Sequence, residues 1–230
     1  MIRDRLIVLH KFPFKNGFIV DAYSQKHGKI SFLLPSRTSK ANPQNYFQSL
    51  FLLEVEYRWR ENSTFQFLKS SRLIYIDNSP FTDPVKTIIQ LFLADFLRHI
   101  SFDRKPELAL FDFFEHCIQL ILMHPSEDLK DLPCFVLSKS SSLLGFHIDL
   151  NTHLTNNLAS SHEHHVLHLE PEHRRYLQQI EAHVFDKSRE LNSKYSTRTE
   201  TFDWLYWYFC YYLDQFKPLK SYDVLKQIFH

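Results

Sequence analysis

Cationic side chains are concentrated in the first third of the chain. Residues 1–80 contain twelve Lys or Arg and six Asp or Glu, a formal charge of +6, whereas the remaining residues carry −5. Lys and Arg that neutralise phosphates release the counterions of a nucleic acid, so a basic region of this kind favours polyanion binding. An ordinary solvated surface would explain the same charge distribution equally well.

Histidines form the second group with possible chemistry. Six of them lie within residues 147–169: His147, His153, His162, His164, His165 and His168. Together with Asp149, Glu163 or Glu170 they are conceivable zinc ligands, but structural zinc sites favour thiolates and this stretch lacks a regular ligand spacing. We therefore expect a solvated, pH-sensitive loop that binds no metal.

The local motifs of common enzymes are missing from the sequence. Phosphate-binding loops and dinucleotide fingerprints need clustered glycines, and no G-x-S-x-G or H-E-x-x-H segment occurs. We therefore predict a non-enzymatic protein with no catalytic residue and no cofactor. A nuclease built from Asp112, Glu115 and His116 is a distant alternative, because one solvated helix face explains these residues more simply. The chain has three glycines, Gly17, Gly28 and Gly145.

The cysteines and the apolar segments predict the compartment. Cys117, Cys134 and Cys210 are odd in number and widely spaced, which suits a reducing cytoplasm. Met1 to Lys11 does not resemble a signal peptide, and the apolar stretch Phe202 to Phe216 is too short for a membrane span. We expect a soluble cytoplasmic protein.

Five β-strands are predicted before residue 80. In the fourth, apolar side chains alternate with mainly charged ones, which predicts one buried and one exposed face. Five short strands within about 80 residues are typical of an OB-type barrel, although other small barrels have a similar size. The predicted strands are Leu6–His10, Gly17–Ser24, Lys29–Pro35, Leu50–Arg60 and Phe65–Ile76.

Helical periodicity replaces the strand pattern after Pro80. Apolar residues between Val85 and Ile100 follow the i, i+3, i+4 spacing, with Asp83 as N-cap and Pro84 in the first turn. Further helices are predicted at about 107–123, 132–144, 172–185, 199–216 and 221–229, and Gly145 suits a helix C-terminus. The result is a multi-domain α and β protein: an OB-fold barrel at 1–80 and an all-α bundle at 81–230 with a polar loop at 147–169.

Several segments resemble the bacterial RecO family of DNA repair mediators. Leu9-His10, Gly17-Phe18-Ile19-Val20 and Lys26-His27-Gly28-Lys29-Ile30-Ser31 match its opening strands, Phe135 to Phe146 matches its third body helix, and Lys217-Pro218-Leu219-Lys220-Ser221 matches a segment near its end. The resemblance spans essentially the whole chain. Many members carry a four-cysteine zinc site after that helix, and residues 147–169 contain no cysteine.

The resemblance implies a function. Members bind single- and double-stranded DNA, anneal strands coated with single-strand-binding protein, dock that protein's acidic C-terminal tail, and act with RecR to load recombinase. The family has a basic loop after the third strand, and Arg37 and Lys40 occupy it here. A nucleoid-associated location in the cytoplasm follows from these partners.

Site residues follow from the resemblance together with the charge map. Phosphates are expected to contact Lys11, Lys15, Lys29, Arg37, Lys40, Arg58 and Arg60. Tyr23, Phe32 and Phe47 are candidates for base stacking, with the protein core as the alternative place for each ring. Arg98, Lys139 and Arg174 are candidates for a partner-tail pocket. The competing hypothesis is a non-enzymatic adaptor whose barrel contacts proteins.

Overall fold

The computed structural model describes residues 1–36, 43–75, 83–101, 105–148, 150, 169–182, 194–214, 216 and 218–228. The chain divides into two compact units. The first unit consists of Met1–Met123 with Leu219–Ser221, and the second of His124–Pro218 with Tyr222–His230. Each is described separately.

The first unit begins with the five strands expected from the sequence. They form one antiparallel sheet in the order β3-β2-β1-β4-β5, so the first strand lies in the middle. This arrangement confirms the predicted fold class, an OB-type barrel followed by helices. The strands are β1 (Ile2–Phe14), β2 (Gly17–Ser24), β3 (Gly28–Pro35), β4 (Leu52–Arg58) and β5 (Phe67–Leu73).

A parallel bridge between Phe32 and Gln66 joins β3 to the segment that leads into β5. The Leu33 amide donates to the Gln66 carbonyl at 3.0 Å, and the Gln66 amide donates to the Ser31 carbonyl at 2.8 Å. Because these bonds join the two outermost strands, they close the sheet into a barrel.

The barrel interior is filled by alternate residues of the strands, as pleated geometry requires. The innermost side chains are Leu6, Val8, Val20, Ala22, Ile30, Phe32, Leu34, Phe47, Leu53, Val55 and Tyr57. The predicted alternation of β4 is confirmed with one correction, because Leu52 is buried although it belongs to the predicted exposed face. Leu52 pairs with Ile7, which is also buried, so both faces of the sheet are covered here.

Two helices belong to the same unit as the barrel. Helix α1 (Pro84–Ile100) packs against β1, and α2 (Leu108–Met123) brings the Phe111 ring to 6.4 Å from that of Tyr23. The predicted N-cap is confirmed, since Asp83 accepts from the amides of Val85 and Lys86. From the distant segment Leu219–Ser221, the Ser221 hydroxyl donates to Asp95 of α1 at 2.9 Å.

The second unit is helical in its described part. Its helices are α3 (Leu132–Leu143), α4 (Pro171–Ala182), α5 (Tyr195–Tyr212) and α6 (Tyr222–Ile228). Helix α5 buries Phe202, Leu205 and Phe209 and contacts both α3 and α4, so one side of it lies within this unit. Gly145 follows α3 with a φ of 87°, the left-handed conformation expected at a helix end.

A buried ion pair connects three helices of this unit. Asp131, just before α3, accepts from Arg198 Nε of α5 at 2.7 Å and from the Tyr176 hydroxyl of α4 at 2.5 Å. Asp131 and Arg198 are each 7% exposed. Burial raises the pKa of Tyr176 above its ordinary value, so the phenol remains a hydrogen-bond donor to the carboxylate.

The predicted boundary at residue 80 follows the end of the barrel, while the first compact unit continues through α1 and α2. A functional division of the chain at residue 80 stays a prediction. Among the described residues, no helix is both long and apolar enough to cross a membrane.

Candidate nucleic-acid interface

Two turns of the barrel meet at one place. The Phe14 ring, next to the β1–β2 turn, lies 5.9 Å from the ring of Phe65, which precedes β5. A side chain at Gly17 would bring its Cβ to 2.2 Å from the Leu34 carbonyl oxygen, so the close approach of β3 requires glycine. In OB-folds, these two loops and the adjacent sheet face bind oligonucleotides.

Gln66 holds the second of these turns in place. Its buried side chain accepts from the Arg60 amide and donates to the Arg60 carbonyl, both at 2.9 Å. Its backbone closes the barrel against Ser31 and Leu33. Ser63 adds a hydrogen bond from its hydroxyl to the Phe65 carbonyl at 2.7 Å. The segment from Arg60 to Phe67 is therefore fixed to the barrel by both the side chain and the backbone of Gln66.

Replacing Gln66 with leucine is expected to destabilise the barrel by about 2 kcal/mol, because the amide and the carbonyl of Arg60 lose their partner in a partly buried place. DNA affinity should fall as well, although no charge changes. Thermal unfolding and fluorescence anisotropy measure the two effects, with exposed Asn62→Ala in the same turn as control. Wild-type stability and affinity in Gln66→Leu would contradict this positioning role.

Three predicted phosphate contacts lie at these turns without an ion-pair partner among the described residues: Lys15, Arg58 and Arg60. Lys15 Nζ lies 5.4 Å from the Phe14 ring centre, and Arg60 Cζ lies 5.2 Å from that of Phe67. Arg58 pairs with Phe67 across β4 and β5, so both side chains lie on one face. We call Phe14, Lys15, Arg58, Arg60, Phe65 and Phe67 the two-turn surface.

A fourth predicted contact, Lys11, lies on β1 near the same hairpin. Its Nζ lies 4.5 Å from the centre of the Phe18 ring, a distance at which a cation and an aromatic face attract each other. Burial lowers the pKa of Lys11 from its ordinary value. Lys11 therefore extends the cationic region along the hairpin.

Other cations of the barrel are already matched by carboxylates. Glu56 lies 3.0 Å from both Arg3 and Lys69, and Arg72 lies 2.7 Å from Glu54. Hydrogen bonds from Lys69 and Arg3 lower the pKa of Glu56, which keeps this carboxylate charged. On the outer face of β4, cations are thus paired with carboxylates at Glu54 and Glu56, and cations that are unpaired within the described part of the chain follow at Arg58 and Arg60.

The remaining predicted phosphate contacts fall elsewhere. Lys29 is half-buried and donates to the Arg98 carbonyl at 3.0 Å, and burial lowers its pKa. Its ammonium is engaged by α1, so we leave Lys29 out of the two-turn surface. Arg37 and Lys40 lie outside the described residues, and their role stays a prediction.

The three candidates for base stacking lie in the protein interior. Tyr23 is 2%, Phe32 0% and Phe47 2% exposed, so none presents a ring face to a ligand in this conformation. Phe32 and Phe47 belong to the barrel core, and the Tyr23 ring is covered by Phe111. The protein core, the alternative place predicted for each of these rings, is where the structure places them.

The candidates for a partner-tail pocket are distributed over both units. Arg98 lies on α1 of the first unit, 3.7 Å from Asp21. Lys139 and Arg174 lie on α3 and α4 of the second unit; Lys139 is exposed, and Arg174 Nε donates to the Leu169 carbonyl at 3.0 Å. The pocket stays a prediction.

The carboxylates considered for a nuclease have a structural explanation. Arg5 Nη1 lies 2.6 and 2.7 Å from the two oxygens of Glu115, and Asp112 lies 4.0 Å from the same guanidinium. Within the described ranges, no group of three or more His, Cys, Asp or Glu side chains is arranged to hold a metal ion. Of the predicted histidine loop, only His147, Ile148, Leu150 and Leu169 belong to these ranges.

Sequence reasoning missed Phe14, Phe65, Gln66 and Phe67. A signal for the first two was present, because OB topology brings the β1–β2 and β4–β5 turns together and both residues flank these turns. Gln66 had no such signal, since its role depends on a bridge to β3.

Known proteins resemble this chain along nearly its whole length. DNA repair protein RecO of Flavobacterium psychrophilum is 26% identical over 240 residues, covering 99% of both chains. That of Bacteroides fragilis is 28% identical and covers 97% of both, and that of Porphyromonas gingivalis is 24% identical with 100% of this chain and 99% of its own covered. The chain is thus similar to the RecO proteins of several bacteria. No family model matches the sequence.

The family resemblance inferred from the sequence is thereby confirmed. Identity of 24 to 28% to these RecO proteins extends across both compact units, so the resemblance is not limited to the barrel.

Proposed function

We propose that this chain is a non-enzymatic DNA repair and recombination mediator that binds single- and double-stranded DNA through the two-turn surface. The observation that carries the proposal is the meeting of two OB-barrel turns with three cations that no carboxylate neutralises within the described residues. The RecO name shared by its relatives supports the same role.

Backbone-directed binding suits a mediator that brings two strands together. Lys and Arg contacts to phosphates fix the position of a strand but carry no sequence information, so the base edges stay available for pairing. We propose that the protein anneals complementary strands coated with single-strand-binding protein in this way, and that with RecR it promotes recombinase loading in the nucleoid. Docking of the acidic tail of single-strand-binding protein belongs to the same proposal.

The test is fluorescence anisotropy with labelled oligonucleotides over a range of salt concentrations. Arg58→Ala combined with Arg60→Ala is expected to weaken binding to unrelated sequences equally. The slope of log affinity against log salt should become shallower by about 0.7 for each lost contact to a single strand. Arg37→Ala combined with Lys40→Ala is expected to act in the same direction.

Arg3→Ala combined with Arg72→Ala is the matched control, because it removes the same charge from cations that already have carboxylate partners. An equal effect of both double variants would mean that net charge alone governs binding. If the wild-type protein ignores DNA even at low salt, the DNA-binding proposal fails and the adaptor hypothesis is favoured.

A further inference from the structure

Three phenyl rings follow one another on the two-turn surface. Phe14 and Phe65 are in contact, with ring centres 5.9 Å apart and planes inclined by 46°. Phe67 is 46% exposed and lies beside Arg58 and Arg60. The three rings come from two different turns, so the fold of the barrel is what assembles them.

The direction of the rings follows from the strand that carries them. Gln66 is 2% exposed and Leu68 packs against the barrel core, so both point inward. Since successive side chains of an extended strand alternate, Phe67 points outward, and Phe65, in the bend just before the strand, is placed by its contact with Phe14. This is also the face that Arg58 shares with Phe67 across the two strands.

A cation lies at each end of the row. Lys15 Nζ lies 5.4 Å from the Phe14 ring, and Arg60 Cζ lies 5.2 Å from the Phe67 ring. A single strand offers base faces and phosphates together, whereas a duplex offers its phosphates but keeps the base faces stacked inside. Rings bracketed by cations are complementary to the first ligand and only partly to the second.

We propose that Phe14, Phe65 and Phe67 form a platform on which unpaired bases stack, and that this platform makes the two-turn surface prefer single strands over duplex. The inference rests on the proposed function, because the cations of the same surface must hold the phosphates. It assigns stacking to rings that are at least partly exposed, in place of the buried Tyr23, Phe32 and Phe47.

The experiment compares three ligands of equal phosphate number: a single strand, a duplex and an abasic single strand, which has phosphates but no bases. Wild-type protein is expected to bind the single strand more tightly than the abasic strand. Phe67→Ala should lower affinity for the single strand about 5- to 150-fold, the range for one stacked base. Its affinity for the abasic strand and its salt slope should stay unchanged.

Phe67→Leu is the matched control, because it keeps an apolar side chain and removes the ring. It should behave like Phe67→Ala, whereas Arg60→Ala should weaken binding to all three ligands. Phe14→Ala tests the other end of the row, and circular dichroism checks that each variant is folded.

Two failures are distinguishable. Unchanged single-strand affinity in folded Phe14→Ala and Phe67→Ala, with weakened binding in the Arg58 and Arg60 double variant, overturns the platform and leaves the proposed function standing. Equal wild-type affinity for the single and the abasic strand also overturns the platform. Absence of binding to every ligand overturns the proposed function itself.

Discussion

Asp131→Asn is expected to lower the free energy of unfolding of the second unit by about 3 to 5 kcal/mol, since it removes one partner of a buried ion pair. The substitution keeps the size of the side chain and removes its charge. Arg198 is then left as a buried guanidinium 2.7 Å from a neutral amide, and the Tyr176 hydroxyl loses a charged acceptor. The weakened hydrogen bonds connect the start of α3 with α4 and α5.

Urea unfolding measures this effect by tryptophan fluorescence. In a Trp59→Phe background, the remaining Trp204 and Trp207 both belong to the second unit, so the signal reports that unit. Asp128→Asn, an exposed carboxylate nearby, is the control and should change stability by less than about 0.5 kcal/mol. Adding Arg198→Met to Asp131→Asn should restore part of the loss, because no unpaired charge then remains buried. Equal losses in Asp131→Asn and in the control would contradict the prediction.

Phe32→Ala is expected to destabilise the barrel by about 3 to 5 kcal/mol through the cavity it leaves. The ring has no exposed surface, lies edge-on to Tyr57 with centres 5.3 Å apart, and occupies the strand position that bridges to Gln66. Phe67→Ala removes the same ring from an exposed position and should change stability by less than about 0.5 kcal/mol. Phe32→Ala is therefore expected to lower stability, whereas Phe67→Ala is expected to lower affinity for single strands and leave stability almost unchanged.

Amide hydrogen exchange of the barrel strands measures the change in stability of each variant, and fluorescence anisotropy measures its affinity for DNA. Phe32→Leu, a milder change, should keep the barrel folded and retain wild-type affinity for single strands. A folded Phe32→Leu protein that binds single strands poorly, but abasic strands normally, would place Phe32 in the interface after all.

The strands were predictable because the pattern in each is local. Alternation in β4 gave its inward face correctly at Leu53, Val55 and Tyr57. The burial of Leu52 was not predictable in this way, because it depends on its pairing with Ile7 and on cover over the second face of the sheet. Alternation along a strand indicates which residues share a face of the sheet. It does not indicate whether one face or both faces are buried by other parts of the protein.

The positive charge of the site was predictable from the sequence, but which residues form the site was less so. Lys15, Arg58 and Arg60 were identified as cations near strand ends, whereas the engagement of Lys29 by the Arg98 carbonyl depends on a residue 69 positions away. Of the three stacking candidates, the burial of Phe32 was the easiest to predict, because Ile30, Phe32 and Leu34 lie on one apolar face of their strand. Phe67 required the β4–β5 register, which periodicity alone does not determine.

The hydrogen bond from Ser221 to Asp95 has a consequence for biosynthesis. The two residues are 126 positions apart, so a ribosome completes α1 long before it makes the segment that α1 is bound to in the finished protein. The barrel strands and both neighbouring helices are made before this segment and must persist without the contact until the segment is synthesised. The first unit is thus completed only after most of the second unit has been made.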